Sequence, residues 1–422
     1  MTNKDLFEFI TTSPTGFHAV REIVNRLSDN GYTKLSEGKT WKLKKGGKYF
    51  VTRNDSSVIA FNIGSQAENY SFNIAASHSD SPTFKLKEKP LLTDGKLYTR
   101  LNTERYGGAI DSSWFDRPLS IAGRVMIEAE QGIESRLVNI DRDTLVIPNV
   151  AIHMNRDINS GYKYNEQVDT IPLFAQGEDT DSLNKMIAEA AGTSPESILS
   201  AELYLYNRTP PTEWGANNEF ISAPRLDDLQ CAYATLMGFL KGENPRSVNV
   251  YCCFDNEEVG SLTKQGAAST FFADILSRIS MGLGKTSEEH LCALASSFML
   301  SADNAHGVHP NHPEHTDTVN RVVLNGGPAI KVNAAQSYAT DAPASAMFRL
   351  ICSRADVPVQ SFANRSDKRG GSTLGNIAAG SVSIRMADIG LPQLAMHSCY
   401  ETAGAKEIGR AHVELQSHVS IA

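Results

Sequence analysis

From about residue 226 to residue 386 the chain alternates short apolar runs with amphipathic stretches. The runs at 248–254, 298–302, 329–332, 357–362 and 382–386 read as strands. The stretches at 226–240, 269–279, 287–295 and 342–352 carry helical spacing. Strands that alternate with helices in this way predict a mostly parallel sheet covered by helices on both faces. In such a sheet, functional groups gather outside the carboxyl ends of the strands. The run at 248–254 ends in Asp255-Asn256-Glu257-Glu258, so two adjacent carboxylates stand at the mouth of a buried strand. Neighbouring like charges repel and add nothing to stability, so this pair asks for a chemical explanation.

The other apolar runs end in a related way. Residues 71–77 lead into His78-Ser79-Asp80, residues 298–302 lead into Asp303, and residues 390–396 lead into His397. A helix start, Arg225-Leu226-Asp227-Asp228, adds two carboxylates. Two histidines with several Asp and Glu suit a borderline divalent metal, zinc above all. Each member alone has a bland reading. His-x-Asp is common in polar turns, Glu-Glu is common in solvated ones, and acidic residues at a helix start need only the dipole. Asp227 and Asp228 are both able to bridge two metals, and their chemistry does not choose between them. Taken together at segment ends, the set favours a metal site. One carboxylate of the Glu257–Glu258 pair would bind metal and the other would take a proton from water. His306, His309 and His312 lie in a second histidine-rich stretch. The prolines there favour an irregular loop, in which His309 and His312 read as structural.

The N-terminal half of the chain is organised differently. Residues 6–10 and 17–27 space like two amphipathic helices split by a turn at 12–16, and strands are expected at 48–52, 58–63 and 71–76. From about 84 to 208 the texture is mostly β, with alternating runs at 83–87, 120–127 and 145–152, and one helix at 182–191 ending on Gly192. The expected domains are a discontinuous catalytic domain, 1–85 and 215–407, and an inserted β-rich domain, 86–214. Residues 408–417 read as a translated sequencing adapter. That makes 408–422 a non-native tail in which His412 and His418 carry no function.

Composition excludes several classes. The 422 residues carry a formal net charge of −8, which disfavours nucleic acid as a partner. No window approaches the roughly 18 apolar residues that span a bilayer, and the N-terminus lacks an apolar signal core, so no membrane partner is expected. The six cysteines show no CxxC pair and sit mostly in apolar runs, as in a reduced cytoplasmic protein.

The quoted pieces, with SPTGFHAV, RLDDL, FDNEEVGS, SADNAHGVHPN, KVNAAQSYATDA, GGSTLG and AMHSCYETAG in this order from Ser13 to Gly404, resemble the M18 family of aspartyl aminopeptidases. The resemblance implies a zinc-exopeptidase fold, with the β-rich insertion as a dimerisation domain. It implies two zinc ions per subunit, with Mn²⁺ or Co²⁺ as possible replacements. His78 and Asp303 would be terminal ligands of one metal, Glu258 and His397 of the other, and Asp227 would bridge. Glu257 would be the general base toward a metal-bridging water, and Asp80 would orient His78. Lys331 and Tyr338 would line the substrate pocket, with Lys331 meeting an acidic P1 side chain, and His306 would touch substrate. His153 matches a family histidine that reaches a neighbouring subunit's active site. The expected partners are peptides with a free N-terminus, and other copies of the chain in a dodecamer built from dimers. The tail departs from the family's C-terminal helix.

Two other functions fit the same residues. A metal-dependent deacylase or carboxypeptidase on this scaffold would cleave N-blocked substrates. A catalytically silent, metal-bound assembly protein would show no turnover, and the complete ligand set argues against it.

Overall fold

A computed structural model describes residues 2–93, 97–130, 132–409 and 411. They form two compact units, one of residues 1–80, 211–396 and 401–422, the other of residues 81–210 and 397–400. Residues 410 and 412–422, most of the expected non-native tail with His412 and His418, lie outside the described residues.

The first unit is built on a nine-stranded sheet. Its centre is parallel: Val248–Phe254, Phe72–His78, Phe298–Ala302 and Arg385–Gly390 lie side by side in that order. The flanks are not. Ser57–Ile63 runs antiparallel both to Lys48–Arg53 and to Val248–Phe254, and Ala329–Lys331 runs antiparallel to Arg385–Gly390. Among the described residues the sheet is therefore mixed, with helices flanking it: five of its neighbouring strand pairs are parallel and three antiparallel. One cause is local. Asn54 and Asp55 both take positive φ, 58° and 52°, which closes a tight hairpin between Lys48–Arg53 and Ser57–Ile63.

Val248–Phe254 is buried along its whole length. Tyr251 and Cys253 pack into the core on one face of the sheet, and Val248, Val250, Cys252 and Phe254 into the core on the other. This two-sided burial explains why the sequence there is a continuous apolar run rather than an alternation. Helices Asn3–Thr12, Gly16–Asp29 and Leu226–Lys241 supply much of the first face, and Phe271–Gly282 much of the second. A five-stranded sheet of short strands, from Thr212–Trp214 to Glu401–Gly404, completes the unit.

The second unit is a six-stranded antiparallel sheet with one helix, Ser182–Ala191. That helix ends on Gly192 in the left-handed region (φ 63°), a conformation that costs glycine nothing. Residues 145–152, expected as a strand, make only isolated bridges at Leu145, Val146 and Ile147. Pro148 has no N–H to continue the ladder. Pro358 shortens another expected strand, 357–362, to Gln360–Phe362 in the same way.

Candidate metal centre

Register brings the candidate ligands together. Phe254 pairs with His78 at the last rung of two parallel neighbours, and Phe298–Ala302 ends beside them. His78, Asp303 and the 255–258 turn are therefore delivered to one sheet edge, as the strand-end rule requires. Asp227 and Asp228 come from the start of the Leu226–Lys241 helix. Their φ/ψ values are not helical, and the peptide between them is cis. The Arg225 guanidinium holds this start in place, donating to the carbonyls of Ser13 (3.1 Å) and Ile10 (3.0 Å).

His78 is the hub. Its Nε2 lies 3.6 Å from Asp227 Oδ1, 3.9 Å from Asp228 Oδ2 and 4.0 Å from Asp303 Oδ1. Its Nδ1 faces the Asp80 carbonyl at 3.1 Å and Asp80 Oδ1 at 3.4 Å. Nδ1 is thus a donor, and Nε2 faces the carboxylates. The Asp80 carboxylate has a second task. It accepts the backbone N–H groups of Glu257 (3.1 Å) and Glu258 (3.2 Å), which fixes the Glu-Glu turn against the histidine. Asp228 Oδ2 accepts the His78 N–H at 3.0 Å, so Asp228 ties the helix start to the strand end.

The donor atoms of His78, Asp227, Asp228 and Asp303 lie within 4.8 Å of one another, and all four residues are buried. His78, Glu257 and Glu258 form a second such group. Burial, with repulsion among them and against the opposing pull of His78, pushes these carboxyl groups above their usual range, Glu257 up to about 8 and Glu258 and Asp228 well above theirs. Burial works against a charged His78, but Asp228, Asp227 and Asp80 outweigh it and hold the imidazole well above its usual value. So many oxygen donors around one imidazole, most of them buried, call for a cation. The set of histidine nitrogen and carboxylate oxygen fits zinc.

Beside this cluster sits Lys331, buried, with its Nζ 3.5 Å from Asp303 Oδ2 and 5.7 Å from the centre of the Tyr338 ring. Burial disfavours its charge, yet Asp303, Tyr338 and Asp388 together raise it above its usual value. The Phe362 ring lies 6.2 Å from Tyr338 and 6.1 Å from the exposed ring of His306. Lys331, Tyr338, His306 and Phe362 thus form one group that adjoins the carboxylates through Asp303.

Two expected site residues lie in the second unit. His397 Nδ1–H donates to the Gly108 carbonyl at 2.6 Å, which leaves Nε2 as the basic nitrogen of the ring. His153 is exposed in an irregular segment. Sequence reasoning missed Glu401, whose buried Oε2 accepts the Asp227 N–H at 2.9 Å. It missed Asp388, which accepts from Thr373 Oγ1 at 2.7 Å and from the Ala339 N–H. It also missed Phe362. Glu401 lies inside the quoted AMHSCYETAG piece, the one signal that marked it.

Comparison with known proteins agrees with this chemistry. The family model described as aminopeptidase I zinc metalloprotease (M18) matches residues 9–418. A probable M18 family aminopeptidase 2 of Clostridium acetobutylicum is 48% identical over 408 residues, covering 95% of this chain and 94% of that protein. One of Pseudomonas aeruginosa is 41% identical, covering 96% and 95%. Among solved structures, Ape4 in its complex with Nbr1 matches with a TM-score of 0.94 at 37% identity, over 98% of this chain and 84% of that one. The mApe1 dodecamer of S. cerevisiae matches with a TM-score of 0.86 at 26% identity, over 98% and 95%.

Proposed function

We propose, for a chain that belongs to the M18 family of zinc metallo-aminopeptidases, that it removes N-terminal residues from peptides, Asp and Glu in preference to others, at a centre of two zinc ions. The observation that carries this reading is the convergence of buried His78, Asp227 and Asp303 with half-buried Glu257 and Glu258 at the carboxyl ends of the strands. His78 and Asp303 would hold one metal, Glu258 and His397 the other, with Asp227 between them. Bound zinc supplies Lewis acidity toward the scissile carbonyl and acidifies a water molecule in the site.

The protein's own residues do the rest. Glu257 lies beside the ligands, and its N–H is fixed by Asp80. It takes the proton of the attacking water and returns it to the leaving amine. Asp80 holds the Nδ1–H of His78, so that Nε2 stays available for the metal. Asp228 accepts the His78 N–H and Glu401 accepts the Asp227 N–H, which fixes the backbone under both ligands. Lys331, Tyr338 and His306 receive the N-terminal side chain, with Lys331 donating to an acidic one. Lys331 also lies near Asp303, so its charge serves both the pocket and the centre.

Assembly belongs to the same reading. The second unit pairs with another copy, dimers build a dodecamer, and His153 reaches a neighbour's site. The S. cerevisiae relative is described as a dodecamer, and the second unit exposes Met154 (79%) and Val168 (66%). No helix among the described residues is long and apolar enough to cross a membrane, and the cysteines are all free, in keeping with a reducing cytoplasm.

The test is hydrolysis of Asp-, Glu-, Leu- and Ala-p-nitroanilides with and without Zn²⁺, Mn²⁺ or Co²⁺, and after chelation. Chelator-sensitive release from the acidic substrates supports the reading. Release from Leu or Ala alone removes the role of Lys331 in specificity. Cleavage of N-blocked substrates only would favour the deacylase or carboxypeptidase alternative. No release from the folded, metal-loaded protein would favour the silent assembly protein.

A further inference from the structure

The loop His309-Pro310-Asn311-His312-Pro313-Glu314-His315 takes no part in the reaction proposed above, and all seven residues are exposed. Its imidazoles are nevertheless stacked in a row. The ring centres of His309 and His312 are 5.3 Å apart, and those of His312 and His315 are 5.5 Å apart at 28°. Residues 313–315 form a 3-10 turn. His312 caps this turn, and its ring contact with His315 puts the two imidazoles on one side of it. Donor atoms of His312, Glu314 and His315 all lie within 4.8 Å of one another.

We propose that His312, Glu314 and His315 form a peripheral site for a divalent d-block cation of the zinc, copper or nickel type. His312 Nδ1–H donates to Glu314 Oε1 at 3.0 Å. Cation binding would release that proton and leave the Nδ1 lone pair and the Glu314 oxygen close enough to share one ion. His309 stays outside the ligand set. Its Nδ1 accepts the Asn311 N–H at 3.2 Å, which puts the ring proton on Nε2.

The turn is held from outside the loop. Arg365 donates to the Glu314 carbonyl, and its own charge is paired with Asp367 at 2.7 and 2.8 Å. Pro310 and Pro313 fix two φ angles, so few backbone states remain to be lost on binding. A tetrahedral zinc with bonds of about 2.1 Å sets its donors about 3.4 Å apart. Exposed side chains on a rigid turn reach that spacing by rotation alone. Two imidazoles beside one carboxylate select zinc, copper or nickel over magnesium or calcium, which prefer all-oxygen sets.

The experiment is equilibrium dialysis of the full-length protein against buffered Zn²⁺, beside the double variant His312→Ala/His315→Ala. The expected result is one zinc fewer per chain in the variant, with the more tightly held catalytic zinc unchanged. Equal zinc in both proteins overturns the proposal. A second measurement needs no variant. Zn²⁺ should slow carbethoxylation of His312 and His315 several-fold, read by peptide mass spectrometry, while half-buried His290, outside the loop and the proposed centre, reacts at an unchanged rate. Equal rates with and without Zn²⁺ also overturn it. Neither measurement depends on peptide hydrolysis, so the result stands whether or not the aminopeptidase reading does.

Discussion

Glu401 shows how much of the candidate centre rests on residues that touch no metal. Its carboxylate is 1% exposed and is aimed at the Asp227 N–H. Replacing Glu401 with Ala leaves that N–H unpaired at the base of Asp227, the proposed bridging residue. Loss of such an outer partner costs roughly 10- to 100-fold in metal affinity. Zinc competition against a chromophoric chelator checks this, and an unchanged affinity would remove Glu401 from the support of the site. Lys331 makes a second prediction. A charge-assisted hydrogen bond of about 1.5–3 kcal/mol corresponds to roughly 10- to 100-fold in kcat/KM. Lys331→Met should lower kcat/KM for Asp-p-nitroanilide by that factor and leave Leu-p-nitroanilide much less affected. Equal losses on both substrates would mean that Lys331 serves Asp303 alone. Candidate ligands such as His78 and Glu258 are readable because each closes an apolar run. Glu401 and Asp388 are not, since Glu401 follows a stretch with no strand signal and Asp388 stands mid-strand, where an acid looks misplaced until its partners are seen.

Among the elements, the Gly16–Asp29 helix carries a pH-sensitive group. His18 is buried near its start, with Nδ1 2.9 Å from Thr15 Oγ1. Burial, then the charges of Arg225 and Arg21, push its pKa down to about 4. The unfolded chain binds a proton near pH 6.5, where the folded chain still refuses it. His18 therefore lowers stability as the pH falls from about 6.5 to about 4, by about 3 kcal/mol at most, and has no effect above that window. The thermal midpoint of His18→Gln should fall less steeply than wild type between pH 6.5 and 4, and parallel curves would contradict this. The long elements are legible in the sequence. Val248–Phe254, Phe298–Ala302, Ser182–Ala191 and Ser287–Ala295 have the bounds that periodicity gives them. The small five-stranded sheet is not legible, because strands of two to four residues are too short to show a period. The antiparallel flanks escape for another reason. Strand direction is set by connections such as the Asn54–Asp55 turn, which the apolar pattern does not encode.

At the scale of the whole molecule, metal and assembly are each expected to show in solution. Metal binding to the folded state alone adds about 2.7 kcal/mol at a free concentration 100-fold above Kd. Chelation should therefore lower the thermal midpoint, and Zn²⁺ should restore it. A midpoint indifferent to chelator would argue against a buried cation centre. For assembly, sedimentation should find a species of twelve chains. Met154→Asp puts a charge on an exposed apolar stretch that also holds Val150 and Ile152, and it should shift the protein to smaller species. An unchanged sedimentation profile would move the contact elsewhere.

The most direct test is a single comparison, metal content and turnover in Glu257→Gln beside wild type. Glutamine keeps the size of the side chain and removes its basicity. The account predicts that zinc remains bound while hydrolysis of Asp-p-nitroanilide falls by roughly 10²- to 10⁴-fold, the usual contribution of a positioned general base. Near-wild-type turnover in the zinc-loaded variant would contradict it.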